Sequence, residues 1–481
     1  MTERVDAVRT FADGLIEFGR DHYGPKHTPL FVSQLDLETR EIPRDCGGLY
    51  CCASRGGAGA TTSNLQFDAG LLRMLYALTD VTGARTYAAA ADDYLAHFLG
   101  ELPDDVGNFP WGDHRGYDVV TDEPIDAMDE FKITWLPWER LWAINADACR
   151  GQFDALKLHL IDESRSWAFN RHYPTGDVPH SMCSSGGAWI AAWAFAHAQT
   201  GEQRYLDWAE SLRDYLWSRR DAGTCLLAAH PDDPLFDCSA LNGRPARTEY
   251  MGSWCWYACN LLQADAQLGE VAGAEFRRQA LAYMHAFTDR ADITADGAFH
   301  ASFDLTTGAP LFGRIEEPWR YLPAYRDGEA ASGILGLRAL AALAFGYLHT
   351  GDEALRDAFD RLVPGLRLQA FERASMPFDI PAGIIAMAIS AFLNMYQATG
   401  ERPYRDSGEL LATYALQHYM HEGFFVTGVP AVPRYREPAL DGWRTYSNRG
   451  GSAELALAIL RLELVSFGGD DPSDDNPISY F

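Results

Sequence analysis

The chain has 481 residues, with 40 Lys+Arg against 67 Asp+Glu and a net charge of −27. So negative a molecule lacks the basic footprint that nonspecific binding to nucleic acid or to an anionic membrane requires, and neither partner is expected. At about 100–200 residues per domain the length allows several domains, but rings of helices hold this many residues in one.

In chain order, the first element is an amphipathic helix from Arg4 to Phe18. Its many charges exclude an apolar leader in residues 1–20, so a cytoplasmic address is the expectation. Beyond it, apolar segments recur, each beginning beside small residues and stopping at a short turn. They run Ala69–Val81 before Thr82-Gly83, Gly187–Gln199 before Thr200-Gly201, Gly252–Gln267 before Leu268-Gly269, Ala331–His349 before Thr350-Gly351, and Ala382–Ala398 before Thr399-Gly400. Glycine at such points suits the left-handed residue that closes a helix.

The segment after each turn is amphipathic and more charged: Arg85–Phe98, Glu202–Arg219, Glu275–Asp289, Glu353–Val363 and Pro403–Tyr419. Asp129–Asn145 with Ala148–Leu160 makes another hairpin, and Gly451–Leu464 pairs with the first helix. A helix apolar nearly all round must be buried on every side, whereas its partner shows one face to water. The expectation is therefore an all-α, single-domain (α/α)6–7 toroid spanning residues 1–481. Seven hairpins are preferred, with helix 4–18 closing on helix 451–464. An open solenoid would keep a fixed period, which the irregular spacing of the turns does not.

Connections from outer to inner helices are long, and all must emerge on the face where inner helices begin. Just before each inner helix they gather Trp, Tyr, His, Asn and Arg: Trp111, His114 and Arg115; Asn170, Arg171, Tyr173 and His180; Arg244, Arg247 and Tyr250; Arg320, Tyr321, Tyr325 and Arg326; Tyr446, Asn448 and Arg449. Aromatic faces stack on sugar rings and arginine forks grip carboxylates, so an acidic oligo- or polysaccharide is the expected partner.

With Tyr23–Phe31, Trp111–His114 and Tyr446–Leu455, the sequence resembles the helical-toroid carbohydrate-active enzymes. The likeness is strongest to their uronate-cleaving polysaccharide lyases, of glucuronan, mannuronan or pectate-lyase type. The resemblance implies β-elimination without a cofactor. Neutralising the uronate carboxylate makes the C5 proton removable, and a tyrosine or histidine then takes it. Tyr250 is assigned as base and acid, His180 as second base or neutraliser, and Arg247 or Arg244 as carboxylate clamp. Tyr446 and Tyr325 are rivals for the base. Any such tyrosine needs nearby cations to lower its pKa from about 10.

A glycoside hydrolase on the same ring is the alternative, with Asp129, Glu130, Glu249, Asp327, Glu329 and Asp379 as candidate carboxylates. A cytoplasmic address would favour it, because long polymers rarely enter cells. A sugar epimerase would need paired histidines on two inner helices, which the sequence does not display. A binding scaffold of hairpins is the non-enzymatic reading. Cys46, Cys51 and Cys52 with His27 lack the paired spacing of a zinc site, so no metal is expected, and the nine cysteines read as reduced thiols.

Overall fold

The computed structural model describes residues 2–43, 60–112, 115–125, 131, 137–162, 166–232, 253–311, 313–316, 318–319, 333–372, 380–428, 444–448 and 450–466. After α1 (Glu3–Phe18) come the hairpins α2 (Leu65–Thr82) with α3 (Arg85–Glu101), α4 (Trp138–Ile144) with α5 (Ala146–Lys157), α6 (Cys183–Thr200) with α7 (Gln203–Ser218), and α8 (Ser253–Ala272) with α9 (Ala274–Thr288). They continue with α10 (Gly333–Thr350) and α11 (Glu353–Leu362), a single-turn helix α12 (Gln369–Glu372), α13 (Ala382–Thr399) with α14 (Arg402–Tyr419), and α15 (Ser452–Ser466).

The turns explain the repeat. Gly83, Gly201, Gly351 and Gly400 adopt φ of 70°, 69°, 66° and 71°, a conformation in which a side chain would be strained. The threonine before each glycine donates its hydroxyl back into the helix, Thr200 to Ala196 O at 2.8 Å and Thr399 to Met395 O at 2.7 Å. The same oxygen then accepts the amide two residues on, from Glu202 at 3.0 Å and Glu401 at 3.1 Å. One Thr-Gly pair thus ends one helix and places the start of the next.

The first member of each hairpin lines the ring, and the second covers it. In α6 the run Cys183–Ala196 is buried, and in α13 the run Ala382–Met395 is buried. Helix α13 is long and apolar enough to cross a bilayer, but its surroundings here are other helices. Inner helices run parallel with their starts level. Gly187 of α6 packs on Tyr257 and Asn260 of α8, and Gly70 of α2 packs on Glu454 of α15. In the outer layer a tyrosine four residues after the turn glycine bonds an aspartate on the preceding outer helix: Tyr87 to Asp13 at 2.9 Å, Tyr205 to Asp154 at 3.1 Å and Tyr404 to Asp360 at 2.7 Å.

The ring closes where α1 meets α15. Thr2 Oγ1 and Arg4 Nη1 each donate to Glu463 at 2.9 Å. At the rim, β1 (Gln34–Asp36) pairs antiparallel with β9 (Thr445–Ser447), Leu35 opposite Tyr446. Other short strands also lie in the outer-to-inner connections, an addition to the all-helical expectation. They are the sheet of β2 (Thr62–Ser63), β3 (Gly116–Asp118) and β4 (Glu123–Ile125), and the pairs β5 (Leu160–Asp162) with β6 (Ser166–Phe169) and β7 (Met420–His421) with β8 (Phe424–Phe425).

Two expected boundaries change. The helix expected over Asp129–Asn145 is described from Trp138, with Phe131 and Pro137 not helical and the rest of 129–136 outside the described residues. The chain also breaks at Gly269, φ 75°, but resumes helical form to Ala272 rather than ending at Leu268-Gly269.

Candidate active site

The rim before α6 is the best-defined part of the expected site. Strand β6 leads to Asn170, which bridges to His180 across the loop. The Asn170 amide braces that loop: its oxygen accepts from His172 N at 2.9 Å and Tyr173 N at 3.1 Å, and its nitrogen donates to Val178 O at 3.0 Å. Arg171 is 3% exposed and donates Nη1 to His180 O at 2.7 Å. The rings of His172 and His180 stand 5.5 Å apart, with His180 partly exposed and Tyr173 51% exposed. Beneath them His159 bonds Asn170 O through Nδ1 at 2.7 Å, and burial holds its pKa down at about 4, so it stays neutral. Of the four residues expected here from the sequence, His180 and Tyr173 reach water, while Asn170 and Arg171 hold the loop in shape.

Other expected contacts prove structural. Trp111 is 2% exposed, stacked on Phe131 at 4.2 Å and edge-on to Phe109 at 5.0 Å. Its faces are covered by protein, so it is a core residue and not a sugar platform. Arg115 pairs with Asp104 at 3.5 Å. Tyr446 is fully buried, and its hydroxyl donates to Asn448 Oδ1. Burial and the neighbouring Asp68 and Glu454 push its pKa well above 10, the opposite of what a base needs, which removes it as a rival to Tyr250. His114, Arg244, Arg247, Tyr250, Arg320, Tyr321, Tyr325, Arg326 and Arg449 lie outside the described residues. So do Asp129, Glu130, Glu249, Asp327, Glu329, Asp379, Cys46, Cys51 and Cys52.

Two acids absent from the sequence-based candidates lie at the seam between α2 and α15. Asp68 is fully buried and accepts four hydrogen bonds: from Ser63 Oγ at 3.0 Å, Asn64 N at 3.1 Å, Tyr94 OH at 2.8 Å and Asn448 Nδ2 at 2.5 Å. Burial lifts its pKa to about 6 and these donors oppose the rise. Glu454 is pushed up further, to about 8, first by desolvation and also by the charge of Asp68. At neutral pH the pair therefore holds Asp68 charged and Glu454 protonated. The available signal was local: an acid in the first turn of each helix, with Gly70 and Gly451 nearby, reads as ordinary capping. No group of three or more His, Cys, Asp or Glu with metal-ligand placement occurs among the described residues. Cys149, Cys183, Cys225, Cys255 and Cys259 are in no disulfide among the described residues.

A ring of inner and outer helices with its long connections on one rim defines the (α/α) toroid, and solved toroids share the fold over nearly the whole chain. An unsaturated glucuronyl hydrolase specific for heparin is 11% identical with a TM-score of 0.51, covering 98% of this chain and 99% of that one. A UGL variant with the saccharide dGlcA-Glc-Rha-Glc is 15% identical with a TM-score of 0.50, covering 96% and 97%. A sugar epimerase from a ruminal bacterium is 13% identical with a TM-score of 0.50, covering 97% and 99%. At these identities the likeness is one of fold.

The match in sequence is more local. Residues 28–183 match the family described as periplasmic pectate lyase, a stretch running from the first rim loop to the first residue of α6. That description overturns the cytoplasmic address expected from residues 1–20.

Proposed function

We propose that this protein is a carbohydrate-processing enzyme that cleaves a uronate-containing oligo- or polysaccharide by β-elimination. The observation that carries the reading is the pectate-lyase match over residues 28–183, which contains the loop presenting His180 and Tyr173 at the start of α6. In this scheme Tyr250 abstracts the C5 proton and returns one to the leaving O4. His180 serves as second base or carboxylate neutraliser, and Arg247 or Arg244 clamps the carboxylate. No cofactor enters the scheme. Loss of the cytoplasmic address also removes the main argument for preferring hydrolysis, since a periplasmic enzyme meets longer chains.

Hydrolysis remains the second reading because a solved heparin-specific unsaturated glucuronyl hydrolase shares this fold over 98% of the chain, with the candidate carboxylates still Asp129, Glu130, Glu249, Asp327, Glu329 and Asp379. The two chemistries leave different products. Digestion of pectate, glucuronan or mannuronan should produce an ultraviolet-absorbing unsaturated uronate in step with new reducing ends. Reducing ends without that absorbance would establish hydrolysis instead. Tyr250→Phe should lower kcat at least a hundredfold with an unchanged melting temperature, and near-normal turnover would remove Tyr250 as base.

A further inference from the structure

Two rim connections and two helix ends enclose a cavity that the proposed chemistry does not use. Its walls include Cys225 and Leu227 from the connection after α7, Trp254 in the first turn of α8, Tyr283 and Phe287 toward the end of α9, and Phe303 from the connection after α9. Cys225 and Trp254 are partly exposed and the other walls are buried, so the cavity opens on the side of the thiol and the indole, where an inner helix begins.

The walls are fixed by their own bonds. Thr224 Oγ1 donates to Leu305 O at 2.5 Å and ties the two connections together. Asp221 accepts the amides of Gly223 at 2.9 Å and Thr224 at 2.8 Å, and Asp304 accepts that of Thr307 at 2.7 Å. Trp254 stacks on Phe287 with centroids 4.5 Å apart, and Phe303 stands edge-on to the same ring at 6.4 Å. A space bounded in this way is formed before a ligand arrives.

The cavity measures about 20 Å³, against about 10–15 Å³ for one water, so it admits a group of a few heavy atoms and no sugar ring. Water suits it poorly, because a buried water needs several polar partners and this lining is mostly apolar. Tyr283 is 4% exposed, and its hydroxyl has no hydrogen-bond partner among the described residues. Desolvation lifts its pKa well above 10, so it remains an O–H donor. The cations that act on it are engaged: Arg278 pairs with Glu275 at 2.7 and 2.5 Å, and Arg220 lies 3.6 Å over Trp217 and donates to Trp217 O at 2.6 Å. A carboxylate gains nothing here, whereas a neutral carbonyl carried on a methyl group matches both the donor and the aromatic wall. We infer that this cavity receives the acyl group of an ester on the glycan, an acetyl or one of similar size, its carbonyl oxygen accepting from Tyr283. The presence of a glycan rests on the function proposed above; the cavity adds that the substrate is acylated.

Cys225 reports on the opening. Iodoacetamide labelling of the full-length chain, followed at Cys225 by peptide mass spectrometry, tests the site with methyl galacturonoside bearing an O-acetyl group, with the same sugar lacking it, and with methyl acetate. Neither sugar carries a glycosidic linkage at O4, so elimination plays no part. At roughly ten times its dissociation constant the acetylated sugar should slow labelling about tenfold, and the unacetylated sugar should leave it unchanged. Tyr283→Phe should weaken the binding about two- to tenfold with a melting temperature no lower than that of the parent, since its hydroxyl has no partner to lose. Ala301→Leu, which fills the cavity from its smallest wall residue, should abolish the protection and leave turnover of unacetylated polymer as it was. Equal protection by both sugars, protection by methyl acetate alone, unaltered binding in Tyr283→Phe or protection kept in Ala301→Leu would each overturn the inference. If the acetylated sugar protects Cys225 but no polymer is cleaved, the proposed chemistry fails while the site stands. If polymers are cleaved but neither sugar protects Cys225, the reverse holds.

Discussion

Replacing Glu454 by Gln should make the protein more stable than its parent, by an amount that grows with pH. Folding raises the Glu454 pKa from the usual 4.5 to about 8, so the folded chain keeps a proton that the unfolded chain has given up. The stability linked to this proton is complete below pH 4.5 and is lost as pH rises toward 8. The gap between 4.5 and about 8 corresponds to about 5 kcal/mol. Relaxation and water entry around a buried charge lower the realistic difference to about 2–3 kcal/mol. Glutamine has no proton to lose, and Asp68 titrates in parent and variant alike. Urea denaturation at half-unit steps from pH 4 to pH 9 would read the difference directly. Equal stability of the two proteins at pH 8.5, or an advantage for Gln that is constant with pH, would refute the assignment of a protonated Glu454.

Asn448→Ala removes one of four donors to the buried Asp68 carboxylate and should cost about 1.5–3 kcal/mol at pH 7. The penalty should shrink below pH 5, where Asp68 is protonated, and thermal melts at pH 4.5 and 7.5 would show whether it does. Trp111→Ala should destabilise by about 3–5 kcal/mol through an unfilled core site, as followed by chemical denaturation. Its remaining folded fraction should bind substrate with an unchanged KM, and a raised KM would restore Trp111 as a sugar contact.

The architecture was legible because it is written in a local code. Apolar helices broken by Thr-Gly need no knowledge of distant residues, and the expected Ala382–Ala398 and Arg85–Phe98 agree with α13 and α3 to within a few residues. The rim was less so. Trp111 and Asn170 stand beside polar loop residues in sequence, yet the protein spends the first on its core and the second on tying a loop. Tyr446 and Asn448 were read together as rim residues facing a sugar, whereas Tyr446 bonds Asn448 inside the protein and Asn448 in turn holds Asp68, which lies 380 residues away where no spacing rule connects them. Glu454 escaped notice for the same reason, since a lone acid at a helix start looks like a cap until its neighbour across the ring is known. Pro137, which caps α4 from just outside its first turn, could have placed the start of that helix.

The meeting of α1 with α15 also constrains how the chain is made. Helix α1 leaves the ribosome well before α15, and the glutamate that anchors it, Glu463, is more than four hundred residues away. Until that residue emerges, the apolar side of α1 and the flanks of α2 and α13 stay uncovered, and long-range docking of this kind is slow and prone to association. Truncation just before Ser452 would therefore remove more than one helix's worth of order, because it strips the shared neighbour from three others at once.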